Sequence, residues 1–270
     1  MNQIFQIAGQ NLRIAGGTLC RLLSGFEAPD TMAEQVPVCT ISETKLSVQF
    51  DILNLTPPFT ASHIMTTVSD MAAFLMCNED YTEGSLFALN ATDEIKMELV
   101  LAALYSRLAS FRTVLVHASL IEMPGFGGIM FVGRSGIGKT TQATLWEKFK
   151  GATIINGDKV FLSLNQAGDT VTAHGSPWCG SSPYKLNKST TLKGIIVLDQ
   201  AKENTIRRLT DLEVLAEYVQ HIFIPMWDEQ ATEKVMGTID EMLPIVPVYK
   251  LACRPDEEAV DLTFRTVFGN

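Results

Sequence analysis

Cysteine is scarce and badly placed for cross-linking in this chain. Its five cysteines stand at 20, 39, 77, 179 and 253, an odd number with wide gaps and no CxxC pair. That argues against a disulfide framework and against a zinc site. Basic charge is also short: 21 Lys and Arg against 30 Asp and Glu leave a formal charge of −9. The cations are scattered, and Arg207–Arg208 is their longest run. A chain of this sign is not expected to bind nucleic acid or an anionic membrane. No apolar run reaches the roughly 20 residues a membrane helix needs. The nearest, residues 95–111, is interrupted by Lys96, Glu98 and Arg107. The start, MNQIFQIAGQ, lacks the basic residues and apolar stretch of a secretory signal. A reducing cytoplasm is therefore the expected compartment. Internal repeats and low-complexity tracts are missing as well.

What is present is enough apolar material for a sizeable core, at 46% hydrophobic and 19% charged residues over 270 positions. Residues 1–90 read as a β-rich region of short strands and turns. Ile4–Ile7 and Leu12–Ile14 flank Gly9-Gln10-Asn11 as a hairpin would. The alternation over Lys45–Ile52 predicts a half-buried strand. No chemistry is visible in this region.

Residues 91–270 read as an α/β catalytic domain with a mixed sheet. Asn90-Ala91-Thr92-Asp93 opens a helix whose stripe Val100, Leu104, Leu108 and Phe111 is expected to pack on the catalytic sheet as plain core. Strands are predicted at Thr113–Val116, Leu120–Met123 and Ile129–Val132, then a helix from about Thr140 to Phe149. Thr153–Ile155, Val160–Leu164 and Thr170–Ala173 follow as strands, and Gly194–Leu198 as a buried one. Thr210-Asp211-Leu212-Glu213 is a capping box opening a helix through about Ile222. A second helix is predicted from about Glu229 to Leu243, a strand over Val246–Leu251, and a last helix from Asp256.

The chemistry concentrates at Gly133-Arg134-Ser135-Gly136-Ile137-Gly138-Lys139-Thr140, which fits GxxxxGK[ST] at every position and is followed by Thr141. The glycines let successive N–H groups turn inward toward phosphate oxygens. The following helix adds its positive N-terminal end. Lys139 is placed to neutralise β- and γ-phosphate charge, and the Thr140 hydroxyl to ligate Mg²⁺. The apolar strand before the loop and the helix-forming TTQATLWEKF after it supply the context the motif requires. These residues predict a nucleoside triphosphate site, with ATP and Mg²⁺ as cofactors.

Asn156-Gly157-Asp158 follows the next apolar strand. Asp158 there is either a Mg²⁺ ligand or proton acceptor, or a turn residue at a hairpin corner. His117 is either a group approaching the γ-phosphate or a structural histidine. The aperiodic loop Gly175–Lys188 carries Trp178, Tyr184, Lys185 and Lys188. It reads either as a flap over the site, with Trp178 and Lys185 its working residues, or as a connector anchored by Trp178. Cys179 has nucleophile chemistry, which phosphate transfer does not need.

The segment VHASLIEMPGFGGIMFVGRSGIGKTTQATLWEKFKGATIINGDKV resembles the catalytic domain of HPr kinase/phosphorylase and its relatives, which include kinases that modify lasso peptides. The wider fold group includes ATP-dependent phosphoenolpyruvate carboxykinase. The likeness rests on three features in order: His117, the Gly133–Thr140 loop, and Asp158 at the next strand end. It covers residues 113–174 best, extends toward 270, and is weak over 1–90. It implies an HPr kinase/carboxykinase-like fold, with His117, Lys139 and Asp158 catalytic and an acceptor hydroxyl on a peptide, protein or small molecule. An oligomer is compatible with it. Where the family carries two adjacent aspartates, this chain has Asp158-Lys159, which removes a negative charge near the metal. Two rivals stand beside the kinase: a nucleotide-binding regulatory module without transfer, which Lys159 favours, and a carboxykinase-like lyase, for which no second metal site or rich cationic substrate site is visible.

Overall fold

A computed structural model describes residues 2–33, 35–45, 57–67, 70–88 and 90–269. The fold is α/β with two mixed sheets. The first sheet uses β1 (Asn2–Ile7), β2 (Gln10–Ala15), β3 (Cys39–Lys45), β4 (His63–Thr67), β5 (Asp70–Cys77) and β6 (Glu83–Ala88), in the order β1-β2-β3-β6-β5-β4. Two short helices, α1 (Gly17–Leu22) and α2 (Asp30–Ala33), lie between β2 and β3. The hairpin turns at Ala8-Gly9, one residue earlier than the sequence suggests, because both residues adopt left-handed backbone (φ 52° and 75°). The strand expected over Lys45–Ile52 falls outside the described residues from position 46 onward.

Helix α3 (Asp93–Ala109) follows, with the Thr92 hydroxyl accepting the Ile95 N–H at 3.4 Å. It packs on the first sheet as well as on the second. Leu99, Val100, Leu101, Ala103, Leu104, Tyr105 and Leu108 are all buried, so one core runs through both sheets with α3 in its middle. The expected stripe is thus wider than one face, because the helix has sheet on two sides.

The second sheet orders β11 (Val171–His174), β10 (Lys159–Leu164), β7 (Thr113–Met123), β8 (Gly127–Val132), β12 (Ser189–Gln200), β15 (Val248–Cys253) and β13 (Thr205–Arg208). Strand β9 (Thr153–Asn156) and the two-residue β14 (Ile222–Phe223) also pair with β7. Among the described residues the parallel pairings of this sheet are β8–β12 and β12–β15. The β11 edge curls back to pair with β12.

Residues 113–116 and 120–123 belong to one continuous strand, not two. It changes partners in its middle, pairing with β10 up to His117 and with β8 from Ala118. That exchange places a polar residue inside an otherwise apolar run, which reads in sequence as a break. Likewise β12 runs from Ser189, longer than the expected Gly194–Leu198.

Helix α4 (Lys139–Lys150) leaves the loop after β8. Its Trp146 is fully buried among Phe131, Phe264 and Phe268, which ties it to α7 (Glu257–Phe268) and to the sheet. Helix α5 (Asp211–Glu217) starts at the Thr210–Glu213 capping box. It ends earlier than Ile222, giving way to a 3-10 turn at Val219–His221 and then to β14. Helix α6 (Glu229–Met242) is capped by Asp228, whose carboxylate accepts the Ala231 N–H at 3.0 Å. No helix among the described residues is long and apolar enough to cross a membrane.

Candidate functional site

The loop between β8 and α4 is shaped by glycine. Gly133 has φ 146°, and a Cβ there would stand 3.0 Å from Ile137 Cγ2. Gly138, the α4 N-cap, has φ 116°. L side chains rarely take either conformation. The tip residues Arg134, Ser135 and Gly136 are exposed, as are Thr140 and Thr141, while Ile137 is buried beneath them. Lys139 is only 8% exposed. Its Nζ donates to the carbonyls of Gly133 at 3.0 Å and Arg134 at 3.5 Å, so the ammonium lies over the loop itself. Burial draws its pKa below the ordinary lysine value, and Asp158 opposes that shift.

Asp158 sits at the corner between β9 and β10. The corner is fixed by Asn156, which is fully buried. Its Oδ1 accepts the N–H groups of Asp158 (2.8 Å) and Lys159 (3.0 Å), and its Nδ2 donates to the Ser176 carbonyl (2.9 Å). The Asp158 carbonyl accepts the Ala118 N–H at 2.9 Å. Its carboxylate stands 3.3 Å from His117 Nε2 and 2.9 Å from Lys159 Nζ. The residue is therefore a corner residue by backbone, with its side chain held against His117 and Lys159.

His117 faces Lys159 across the β7–β10 pair and stacks on Phe223, with centroids 6.4 Å apart and planes within 5°. Lys159 Nζ lies 5.9 Å from the centre of the same ring. Burial, and then Lys139, lower the His117 pKa, with Asp158 pulling the other way. The ring is thus mainly neutral at pH 7.

Two residues that sequence reasoning passed over belong here. Ile222 pairs with Val116 and Phe223 with Leu115, so the antiparallel register places His221 opposite His117. Burial, then Lys139 and His117, lower its pKa too, which brings both imidazoles into the field of the loop lysine. A strand of two residues leaves no periodic signal, and His221 was absorbed into the expected helix. The second is Asp199, near the C-terminal end of β12, the parallel neighbour of β8. The apolar run GIIVL ending in Asp199 was the signal available. Its carboxylate is half exposed, with Lys250 Nζ at 3.8 Å.

A cleft of about 350 Å³ adjoins the loop, lined by Gly138, Thr141, Gln142, Asp199, Gln200 and Arg254. It lies at the carboxyl ends of the parallel strands β8, β12 and β15, where α/β sheets bind ligands. Arg254 is committed to Asp256 and Glu258, at 2.8 Å each.

The segment 175–188 runs over Asp158. Trp178 is 7% exposed, its Nε1 donates to the Met97 carbonyl at 2.9 Å, and its ring meets Phe161 edge-on. The far end is held by Leu186 N–H to Ile155 carbonyl (2.9 Å) and by a Lys188–Glu122 ion pair. Lys185 is exposed. Between these anchors Gly180 (φ 56°) lies so close that a Cβ would stand 2.9 Å from Asp158 Oδ2. The structure thus places Trp178 in the core as an anchor and leaves 179–183 as the span over the carboxylate.

Among the described residues no three or more His, Cys, Asp and Glu side chains gather as a metal cage. Mg²⁺ carried by a polyphosphate needs only one or two protein oxygens, so Thr140 with Asp158 or Asp199 fits that ion by donor chemistry.

No protein-family model matches this chain, and no curated protein does. Among solved structures, the Hpr(Ser) kinase/phosphatase from Coxiella burnetii is similar over 56% of this chain and 95% of its own, with 9% identity and a TM-score of 0.34. A likeness at that level carries no argument about function.

Proposed function

We propose that this chain is a Mg²⁺-ATP-dependent phosphotransferase of the HPr kinase-like type, acting in the cytoplasm on a serine-type hydroxyl of a peptide, protein or small molecule. One observation carries the reading: the glycine-shaped Gly133–Thr140 loop, with Lys139 folded over its own carbonyls, opens helix α4, and Lys139 lies within electrostatic reach of His117 and Asp158. The loop N–H groups, with Thr141 at the first turn of α4, bind the β- and γ-phosphates. Lys139 exchanges the Gly133 and Arg134 carbonyls for phosphate oxygens. Thr140 and a carboxylate, Asp158 or Asp199, would hold Mg²⁺, which would supply neutralisation of phosphate charge. Asp158 takes the proton of the attacking hydroxyl as its oxygen bonds to the γ-phosphorus and the bond to the ADP oxygen breaks. Neutral His117 orients Asp158, and residues 179–183 shield it from water as a short flap, with Lys185 at its base. Trp178 serves as the anchor of that flap.

The 2.9 Å Lys159–Asp158 contact favours a second reading, a nucleotide-binding module without transfer, because it neutralises the carboxylate. Gamma-labelled ATP with serine-containing acceptors separates the two: label moves to acceptor in the first and stays on nucleotide in the second. Calorimetry of Lys139→Ala tests their common ground, and an unchanged ATP affinity overturns both.

A further inference from the structure

Away from the loop, an open groove of about 1050 Å³ lies between the first sheet and helices α3 and α6. A second hollow of about 540 Å³ adjoins it, sharing His63, Tyr81 and Trp227 as a common wall. That wall is aromatic and fixed. His63 stacks on Tyr81 with centroids 4.4 Å apart, and the half-exposed Trp227 is tethered by Nε1–H to Ser106 Oγ at 2.9 Å. The cations along the groove are engaged: Arg107 donates to the Val38 carbonyl (2.9 Å) and pairs with Asp80 (4.0 Å), and Lys234 donates to Ser110 (3.1 Å). Exposed Glu79 and Glu229 in the groove, and Glu98 in the adjoining hollow, carry no ion pair among the described residues. The exposed, tethered Trp227 ring beside unpaired carboxylates suits an organic cation.

The same wall continues toward the His117–Asp158 pair. Phe223, Met226 and Trp227 are 37%, 86% and 51% exposed within one five-residue segment. Their backbone is ordered: Tyr105 OH donates to the Phe223 carbonyl (2.6 Å), and Thr232 Oγ1 and Asp228 N–H donate to the Pro225 carbonyl (2.9 Å each). A rigid segment presenting large apolar side chains to solvent is a contact surface. Four chain steps cover at most about 15 Å. Phe223 stacks on His117, which stands 3.3 Å from Asp158.

We propose that this groove and the Phe223–Trp227 ridge dock a polypeptide acceptor whose Lys or Arg residues enter the groove, whose apolar residues lie along the ridge, and whose hydroxyl reaches Asp158. This rests on the phosphotransferase reading and selects a polypeptide over a small molecule. Charge complementarity names the occupant: the free carboxylates of the groove meet a basic segment. Chain length and the Phe223–His117 and His117–Asp158 contacts bound the span from Trp227 to Asp158 at roughly 25 Å, within reach of about eight extended residues.

The test is fluorescence anisotropy without nucleotide. The probe is a labelled twelve-residue peptide with Lys and Leu flanking one serine, set against its Glu-for-Lys counterpart. The basic peptide is expected to bind, more weakly at high salt, and the acidic one not. Glu79→Lys/Glu229→Lys, two exposed changes that leave the core alone, should weaken binding at least tenfold. Trp227→Ala should weaken it about fivefold. Glu147→Lys/Glu203→Lys, with the same change of net charge elsewhere, should not. Equal binding of the two peptides, or equal weakening by the two charge-reversed pairs, overturns the docking site. Calorimetry of ATP on the Glu79→Lys/Glu229→Lys protein is expected to be unchanged. Because the peptide assay holds no nucleotide, its failure leaves the phosphotransferase reading to be judged by the Lys139→Ala experiment.

Discussion

Asp158→Asn separates chemistry from architecture at this site. The corner that carries Asp158 is held by its backbone. Asn156 Oδ1 accepts its N–H at 2.8 Å and the Lys159 N–H at 3.0 Å, and its carbonyl accepts from Ala118 at 2.9 Å. An amide fits under Gly180 as well as a carboxylate does, since the two are nearly isosteric. The folding loss is one partly exposed ion pair, to Lys159 at 2.9 Å, with both side chains a fifth or more accessible. Solvent screening brings that to about 1 kcal/mol or less. The chemical loss is larger. Removing a positioned base costs about 100- to 10,000-fold, or roughly 3–5 kcal/mol of barrier at 1.36 kcal/mol per decade. The variant is therefore expected to keep its melting temperature within a few degrees, keep ATP affinity by calorimetry, and lose transfer from gamma-labelled ATP at least 100-fold. Wild-type transfer by the Asn protein would refute the catalytic assignment and leave Asp158 a turn residue.

Other substitutions test neighbouring claims. Lys139→Ala should weaken ATP binding at least tenfold in calorimetry, since the loop loses its fixed cation. Asp199→Asn should raise the Mg²⁺ concentration needed for ATP binding while leaving metal-free nucleotide affinity unchanged; an unaltered Mg²⁺ titration removes Asp199 from the site. Trp178→Ala should cost about 3–5 kcal/mol, read as a lower urea midpoint, because the ring is core and not surface; a variant as stable as wild type contradicts that placement. His174 lies buried between Ser163 Oγ and Ser189 Oγ, each at 2.7 Å, and burial lowers its pKa to about 4. A depressed histidine binds its proton more weakly in the folded state. Its contribution is therefore complete above pH 6.5 and is lost as pH falls toward 4. Roughly 3 kcal/mol of stability should disappear over that window, and urea melts of His174→Gln should be flatter there.

How far the sequence speaks depends on whether a residue's neighbours are local. Four helix starts were legible because caps are local: Thr92, Thr210, Asp228 and Asp256 stand where α3, α5, α6 and α7 begin; the short α1 and α2 were not, and α1 starts after Gly16 with no side-chain cap. The ends of α5 and the unity of β7 were not. Helix α5 stops where the chain turns to add β14 to β7, and β7 changes partners between His117 and Ala118. Both depend on strands far away in sequence. The breadth of burial on α3 had the same cause, since a helical stripe reports one apolar face and says nothing of a second sheet lying against the other.

The site divides along the same line. The Gly133–Thr140 loop is contiguous, and its glycines, lysine and threonine are all needed within eight residues, so the sequence carries it whole. Asp158 and His117 were legible as chemistry but ambiguous in role, because their meeting depends on the β7–β10 register. His221 was invisible, because only the pairing of two residues of β14 puts it opposite His117. Trp178 reads in sequence either as part of a mobile flap or as the anchor of a connector, and its ring fills a gap between α3 and β10 that is closed by Met97 and Phe161. That anchoring limits what the flap can do. With Trp178 at one end and the Leu186–Ile155 bond at the other, the exposed span around Gly180 lies between two anchors. A Cβ on Gly180 would stand 2.9 Å from Asp158 Oδ2, so on the proposed phosphotransferase reading an acceptor hydroxyl reaching that oxygen would displace it. On that reading the carboxylate is reached by a shift of the span around Gly180 alone, with Trp178 and the Leu186–Ile155 bond kept in place.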